Sequence, residues 1–144
     1  MARRLLSWRG FSLIELMVAL LIVGVLVSLA WPRYQSHVRR GQRAEAQAAL
    51  LEAQHFMERY YAVQGRYTTA TGTAPTLPAR LQGVPAQGEV RYRLSLESVT
   101  ATGFVLRAEP QAAMVGDPCG SLTLASTGAK GRSGSGLSVA QCWQ

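Results

Sequence analysis

One carboxylate stands alone in the most apolar stretch of this chain. From Phe11 to Trp31 the sequence is almost entirely Leu, Val, Ile, Ala and Met, and Glu15 is the one charged residue within it. An uncompensated carboxylate in a membrane-length helix costs roughly 2.5 kcal/mol or more at full depth on insertion scales. The sequence therefore predicts that a cation meets Glu15 and that this residue has a function.

Other residue types that could carry chemistry are few and scattered. His37 and His55 lie on one predicted helix about 27 Å apart, so they cannot share a metal. Cys119 and Cys142 lack a C-x-x-C spacing and have no histidine nearby, which argues against a zinc site. The sequence also lacks a glycine-rich phosphate loop and a nucleophile motif. We therefore expect a protein that is not an enzyme and that holds no metal and no cofactor.

The two cysteines predict a disulfide, Cys119–Cys142, formed outside the cytoplasm, because they are an even pair in a chain with an export-type segment. The alternative is two free, buried thiols. The residues between them include Ser133-Gly134-Ser135-Gly136 and would be flexible without the bond. Closing this loop would stabilise the fold by about 3–4 kcal/mol in the chain-entropy model.

The segment from Phe11 to Trp31 has three interpretations. As a helix it spans roughly 31 Å, the thickness of a bilayer core, and it follows a short basic head. A secretory signal peptide would have a shorter apolar stretch with a small-residue cleavage site, which Ser28-Leu29-Ala30 imitates. A plain transmembrane anchor fits the length and the positive-inside rule. Neither accounts for Glu15 or for the abrupt Gly10-Phe11 junction.

The third interpretation accounts for both. The stretch Gly10-Phe11-Ser12-Leu13-Ile14-Glu15 resembles the prepilin signature of type IV pilins and their pseudopilin relatives. The resemblance implies that prepilin peptidase cleaves between Gly10 and Phe11 and methylates the new N-terminal Phe11. It also implies that Glu15, fifth in the mature chain, pairs with the N-terminal ammonium of a neighbouring subunit during assembly. A buried pair of this kind sets register more than it adds net stability.

Beyond the apolar segment the predicted helix changes character. Pro32 removes a backbone hydrogen bond and clashes with the previous turn, so we expect a kink or local melting near residues 28–32. The helix then continues to about Val63, and Gly65 is its predicted C-cap. Its apolar stripe has three- and four-residue spacing and consists of Ala46, Ala49, Leu50, Ala53, Phe56, Met57 and Tyr60.

An irregular connector with room for one helical turn precedes the predicted strands. Period-two alternation places strands at 90–97, 104–109 and 120–125, with a turn at 100–103. A weaker pattern marks a fourth strand at 137–142. Short turns imply an antiparallel sheet with one face on the helix stripe. The expected fold is α+β, the type IV pilin fold: a long N-terminal helix, half transmembrane, on a small antiparallel sheet of three to four strands with a C-terminal disulfide loop.

The expected organisation has five parts. They are a cleaved leader at 1–10, a transmembrane and filament-core helix at 11–31, an amphipathic helix at 32–63, a loop at 64–88, and the sheet with its disulfide-bounded loop at 89–144. The resemblance extends into these later parts, since the stretch that begins at Arg43-Ala44-Glu45 and the ending Cys142-Trp143 are similar to PilE-type minor pilins. A second helix proline found in some major pilins is missing, which favours a minor pilin.

The excess of basic residues makes nucleic-acid binding a function to consider. The chain carries 15 basic and 8 acidic residues, a net charge of +7, but Arg3, Arg4 and Arg9 lie in the head. A candidate patch for DNA or a partner, on the outward face of adjacent predicted strands, consists of Arg91, Arg93 and Arg107, extended by Lys130 and Arg132. Aromatic stacking partners are missing from this set, so a solvated face or a subunit contact is favoured over DNA binding.

These observations predict a structural subunit, a minor pilin, of a type IV pilus. The resemblance implies storage in the inner membrane with the leader cytoplasmic, contact with the pilus assembly platform, and assembly with other pilin subunits into an extracellular filament. Such filaments serve adhesion, twitching motility or DNA uptake. The alternatives are a pseudopilin of a type II secretion system, which usually lacks this disulfide loop, and a membrane-anchored periplasmic binding domain.

Overall fold

A computed structural model describes residues 11–144 of the chain; residues 1–10, which include Gly10 and the predicted leader, lie outside the described part. The chain divides after His37 into two compact units. Helix α1, Leu13–Gln64, contributes to both of them. The second unit also holds two short helices, a single 3₁₀ turn and a five-stranded sheet.

In the first unit α1 is exposed along its whole length. The carbonyl oxygen of Ser12 accepts hydrogen bonds from the amides of Glu15 at 3.0 Å and Leu16 at 3.2 Å, which forms the first turn. The helix is unbroken through residues 28–32, with Pro32 inside it. The local melting expected there is not observed, and a kink at Pro32 stays a prediction.

In the second unit the predicted apolar stripe of α1 faces the core. Its most buried members are Ala46, Leu50, Ala53 and Met57, each 0% exposed. Arg43 continues this stripe by one turn and is also buried. The helix ends at Gln64, and Gly65 has a φ of +69° while its amide donates to the Tyr61 carbonyl at 2.7 Å. Glycine adopts this left-handed conformation without steric cost, so the predicted C-cap is confirmed.

The sheet is antiparallel throughout, and its five strands lie side by side in the order in which they occur in the sequence. Its strands are β1 Gly83–Val84, β2 Tyr92–Val99, β3 Phe104–Pro110, β4 Leu122–Ala125 and β5 Lys130–Arg132. The second, third and fourth of these correspond to the three main predicted strands. The predicted turn at 100–103 is closed by a 2.8 Å hydrogen bond from the Thr100 amide to the Gly103 carbonyl. The sheet therefore has more strands than the expected three to four.

The connectors are short or irregular. The predicted helical turn between α1 and the sheet is α2, Ala79–Gln82, and a 3₁₀ turn, Ala112–Met114, follows β3. The ring of Tyr67 lies 4.6 Å from that of Tyr61 and 4.8 Å from that of Phe104, measured between centroids. These aromatic contacts attach the beginning of the connector to both the helix and the sheet.

The C-terminal segment differs from its prediction. Residues 137–142 do not form a strand; Val139–Cys142 is helix α3. Ser138 and Gln141 make a capping box, in which each side chain accepts a hydrogen bond from the other residue's backbone amide. This pair satisfies two amide donors at the start of a helix, and it outweighs the weak alternation that predicted a strand.

Backbone hydrogen bonds hold the disulfide-bounded loop, in addition to the bond between its cysteines. Within it β5 pairs with β4, and the ladder continues through the amides of Ser133, Gly134 and Gly136. Those amides donate to the carbonyls of Ser121, Cys119 and Pro118 at 2.9, 2.9 and 3.2 Å. The Gly- and Ser-rich stretch that was expected to be flexible by itself is thus an irregular extension of the sheet.

Candidate assembly and ligand-binding surfaces

Phe11 and Glu15 lie at the start of α1. Phe11 precedes the helix and is 76% exposed, whereas Glu15 is in the first turn. A negative charge there is favoured by the helix macrodipole. Among residues 11–144 no cationic side chain lies within ion-pair distance of Glu15. The residue is exposed.

The apolar surface of α1 defines the first candidate surface. Every side chain from Phe11 to Val38 is exposed. Within the part of the chain that the structure describes, α1 is the one helix long and apolar enough to cross a membrane. Such a surface is stable only in lipid or against other apolar surfaces, because its exposure to water is unfavourable by about 25 cal/mol per Å².

The predicted disulfide is present in the second unit. Cys119 and Cys142 are joined with a Cα–Cα distance of 5.7 Å, and both residues are buried. The bond encloses β4 and β5 and fixes the position of α3 relative to β4. It therefore defines the base of a loop, residues 120–141, that forms one edge of the sheet.

An ion pair between Arg43 and Asp117 is buried beside the disulfide. Arg43 Nε lies 3.4 Å from Asp117 Oδ2, and the two side chains are 7% and 0% exposed. Burial, and then the negative charge of Asp117, raise the pKa of the nearby Tyr92 phenol, while Arg43 and Arg39 act in the opposite direction. Sequence reasoning missed this group, although the position of Arg43 three residues before Ala46 continued the apolar stripe and was a usable signal.

The candidate basic patch is divided between two faces of the sheet. On the outward face, Arg107 pairs with Glu97 at 2.7 Å and Arg93 stands directly opposite Glu109. Arg91, just before β2, pairs with Glu89 at 2.9 Å. Each of these three arginines therefore has a carboxylate as a partner or as its cross-strand neighbour, and the face has little net charge.

The other two cations lie on the opposite side. Lys130 and Arg132 of β5 stand opposite Leu124 and Leu122 of β4, whose side chains are buried in the core. Directly opposed residues of an antiparallel pair point to the same face, so the cations belong to the inner face of the sheet at its edge. The structure does not bring all five basic residues together.

An aromatic ring accompanies this second pair. The Lys130 ammonium lies 5.1 Å from the ring centroid of Trp143, and the indole N–H donates to the Gly131 carbonyl at 3.0 Å. Within residues 11–144 neither Lys130 nor Arg132 has a carboxylate partner. Trp143 was missed as a candidate, and its position directly after the second cysteine was the available signal. We call Lys130, Arg132 and Trp143 the β5 edge.

The histidines do not come together. His37 and His55 are both exposed, and His55 Nδ1 lies 3.4 Å from Glu58 Oε2. Among residues 11–144 there is no group of three side chains that could hold a metal ion.

Comparisons with known proteins place the chain in a family. A family model described as "Type IV minor pilin ComP, DNA uptake sequence receptor" matches residues 32–123. The chain belongs to this type IV minor pilin family. A model of the prokaryotic N-terminal methylation motif matches residues 9–31, a range that includes Gly10, Phe11 and Glu15. The members of this family are structural pilins.

Relatives of the minor pilin include both pilins and a secretion protein. It is 30% identical over 89 residues to the type II secretion system core protein G of Pectobacterium carotovorum subsp. carotovorum, covering 58% of this chain and 57% of that protein. It is 36% identical over 72 residues to the fimbrial protein EcpC of Eikenella corrodens, covering 48% and 47%. The chain spans about half the length of the curated relatives it matches.

A solved structure shares the fold over most of the minor pilin. The non-core minor pilin PilV of Neisseria meningitidis has a TM-score of 0.53 and 25% identity, covering 72% of this chain and 95% of PilV. The expected fold class, a long helix on an antiparallel sheet with a C-terminal disulfide, is confirmed.

Proposed function

We propose that the protein is a low-abundance subunit of a type IV pilus, stored in the inner membrane and then packed by α1 into the core of the filament. The observation that carries this proposal is the apolar, fully exposed first part of α1. Lipid covers that surface before assembly, and the helices of neighbouring subunits cover it afterwards. Burial of apolar area is thus the driving term in both states.

Processing and register depend on the beginning of the helix. Prepilin peptidase cleaves between Gly10 and Phe11 and methylates Phe11, which creates an ammonium group four residues before Glu15. The match of the methylation motif to residues 9–31 supports this step. In the filament the ammonium of one subunit pairs with Glu15 of a neighbour. Apolar packing alone leaves the axial offset between helices loosely defined, and this ion pair fixes it.

The pilus is favoured over a type II secretion pseudopilus. Both classes share the N-terminal features, and the relatives include core protein G. The family match over residues 32–123 and the likeness to PilV favour the pilus, as does the Cys119–Cys142 loop. The partners are other pilin subunits and the inner-membrane assembly platform.

The experiment for this proposal is mass spectrometry of the mature N-terminus. The proposal expects a chain that begins at N-methylated Phe11 in cells with the peptidase and an uncut chain in cells without it. A mature chain cut after Ala30, or one that keeps Met1, contradicts the proposal and favours a signal peptide or a plain anchor.

DNA binding is a second candidate function, favoured by the description of the matching family. Among residues 11–144 the two cations of the β5 edge have no carboxylate partner, and Lys130 lies over the ring of Trp143. Cations neutralise the phosphates of a DNA duplex, and the ring of Trp143 holds the Lys130 ammonium beside it. The family match ends at Thr123 and includes Arg91, Arg93 and Arg107 instead. We place the DNA contact at the β5 edge because those three arginines adjoin carboxylates.

A further inference from the structure

Each end of the disulfide is attached to the same turn of α1 by a polar contact. Asp117 Oδ2, which lies 3.4 Å from Arg43 Nε, also accepts a hydrogen bond from the Cys119 amide at 3.2 Å. Four residues along the helix, Gln47 Nε2 donates to the Cys142 carbonyl at 2.8 Å. The contacts form a closed ring through Asp117, the disulfide and one helical turn.

The rise of one helical turn is similar to the Cα–Cα distance of the disulfide. Residues four apart on a helix are one turn apart, with a rise of about 6 Å. The Cα atoms of Cys119 and Cys142 are 5.7 Å apart. The spacing of Arg43 and Gln47 along the helix is therefore close to the Cα separation of the two cysteines. Gln47 contacts Cys142 directly, whereas Arg43 reaches the other end of the disulfide through Asp117.

The burial of the Arg43–Asp117 ion pair indicates that it positions the disulfide-bounded loop more than it stabilises the fold. Arg43 and Asp117 are almost fully shielded from water. Exchange of a buried ion pair for apolar residues of similar volume is often neutral or stabilising, so such a pair adds little net stability. It does require one geometry, because a displaced partner leaves a buried charge unpaired. The ring thus selects one placement of the loop on the helix.

The position of Cys142 on the helix also determines the position of the β5 edge. Trp143 follows Cys142, and its indole N–H holds the Gly131 carbonyl at 3.0 Å. The next residue on either side of Gly131 is a cation of the edge. Gln47 is thus connected to the two cations of the edge by two hydrogen bonds, one to Cys142 and one from Trp143 to Gly131, and by the short stretches of chain between them.

We propose that Arg43 and Gln47 are positioning residues, which hold the disulfide-bounded loop on α1 so that the β5 edge meets a DNA ligand in one orientation. Neither residue touches the ligand; both act through the ends of the disulfide. The identity of the ligand rests on the proposed function above, whereas the attachment of the loop does not.

The first experiment is hydrogen exchange on the full-length protein in detergent micelles. Gln47→Ala removes the contact to Cys142 and leaves no buried charge, so the protein should fold. Gln54→Ala is the matched control, a half-buried glutamine on the same helix without a side-chain hydrogen bond among residues 11–144. Amides of β5 and α3 are expected to exchange at least tenfold faster in Gln47→Ala, while those of β2 and β3 change less than twofold. No change, or equal acceleration of all strands, overturns the proposal.

The second readout is the affinity for duplex DNA. Gln47→Ala is expected to weaken binding at least threefold although it alters no charge, and Gln54→Ala is expected to leave it unchanged. Faster loop exchange with an unaltered affinity overturns the positioning role. If the native protein binds no DNA, the proposed ligand is wrong, and the exchange comparison still decides whether Gln47 holds the loop.

Discussion

Gly134 lies so close to the backbone of Gly120 that a Cβ atom added to Gly134 would come within 2.8 Å of the Gly120 nitrogen. The same atom would come within 2.6 Å of the Cys119 carbonyl carbon and overlap the Pro118 carbonyl oxygen. These are backbone atoms, which cannot move aside as a flexible side chain can. The close approach allows the loop to continue the sheet beside the disulfide.

Gly134→Ala is therefore expected to destabilise the second unit. Overpacking of this kind lowers the free energy of unfolding by about 1–3 kcal/mol. Gly41→Ala is the control, since a Cβ atom there meets no atom of residues 11–144 within 4 Å and alanine is favoured in a helix by about 1 kcal/mol. Urea unfolding of the oxidised, full-length variants in micelles measures both. Equal stability of Gly134→Ala and the native protein would show that the loop can shift without cost.

The buried phenol of Tyr92 predicts a loss of stability at alkaline pH. Its pKa is raised above the usual value of 10 by burial and by Asp117, so the folded state keeps the proton while the unfolded chain releases it. The stability contribution is complete below about pH 10 and is lost as the pH rises, by up to about 1.4 kcal/mol per unit. Urea unfolding between about pH 9 and about pH 11 measures this slope.

Two variants test the assignment of that slope. Tyr92→Phe keeps the ring and removes the ionisable group, so the alkaline loss should become smaller. Tyr61→Phe is the control, because Tyr61 is 40% exposed. An unchanged slope in Tyr92→Phe would assign the alkaline loss to other groups.

Glu15→Gln is expected to separate assembly from processing. The amide keeps the size of the side chain and removes the charge that pairs with the neighbouring ammonium. Membrane insertion and cleavage should remain intact, while the share of the protein found in sheared filaments falls. Glu45→Gln makes the same chemical change at an exposed helix position and should assemble normally. Normal incorporation of Glu15→Gln would show that the ion pair is dispensable.

Charge reversal distinguishes the two candidate DNA surfaces. Lys130→Glu with Arg132→Glu alters the β5 edge, and Arg91→Glu with Arg93→Glu makes the same change of charge on the other surface. The first pair should lose at least tenfold in affinity for duplex DNA and reduce the salt slope by about 2, since each phosphate contact contributes about 0.9. The second pair should bind nearly as the native protein does. A larger loss of DNA affinity in the second pair would show that the DNA contact lies in the region that the family model matches, residues 32–123, and not at the β5 edge.

Much of the fold follows from local patterns in the sequence. The stripe of α1 and strands β2 to β4 were predictable because each element buries one face, which imposes a period on its apolar residues. The cap at Gly65 was predictable because glycine adopts the left-handed conformation that commonly ends a helix. Strand β5 was not predictable, since Lys130-Gly131-Arg132 has no apolar alternation. Its pairing with β4 and the bond from Trp143 define it.

The candidate sites were less predictable, because they depend on register and on distant contacts. The prediction of one patch of five cations was wrong, because the pairing of β5 with β4 places Lys130 and Arg132 on the inner face of the sheet. The contact from Gln47 to Cys142 joins residues 95 positions apart. A single sequence contains no periodicity that could indicate such a pair.

The most direct test of the central claim is the protein content of sheared, purified pili, determined by quantitative mass spectrometry beside the inner-membrane fraction. The account predicts that the chain is present in the pili at a small fraction of the main subunit and begins at methylated Phe11. A chain confined to the membrane fraction, and absent from pili that assemble normally, would contradict the assignment as a filament subunit.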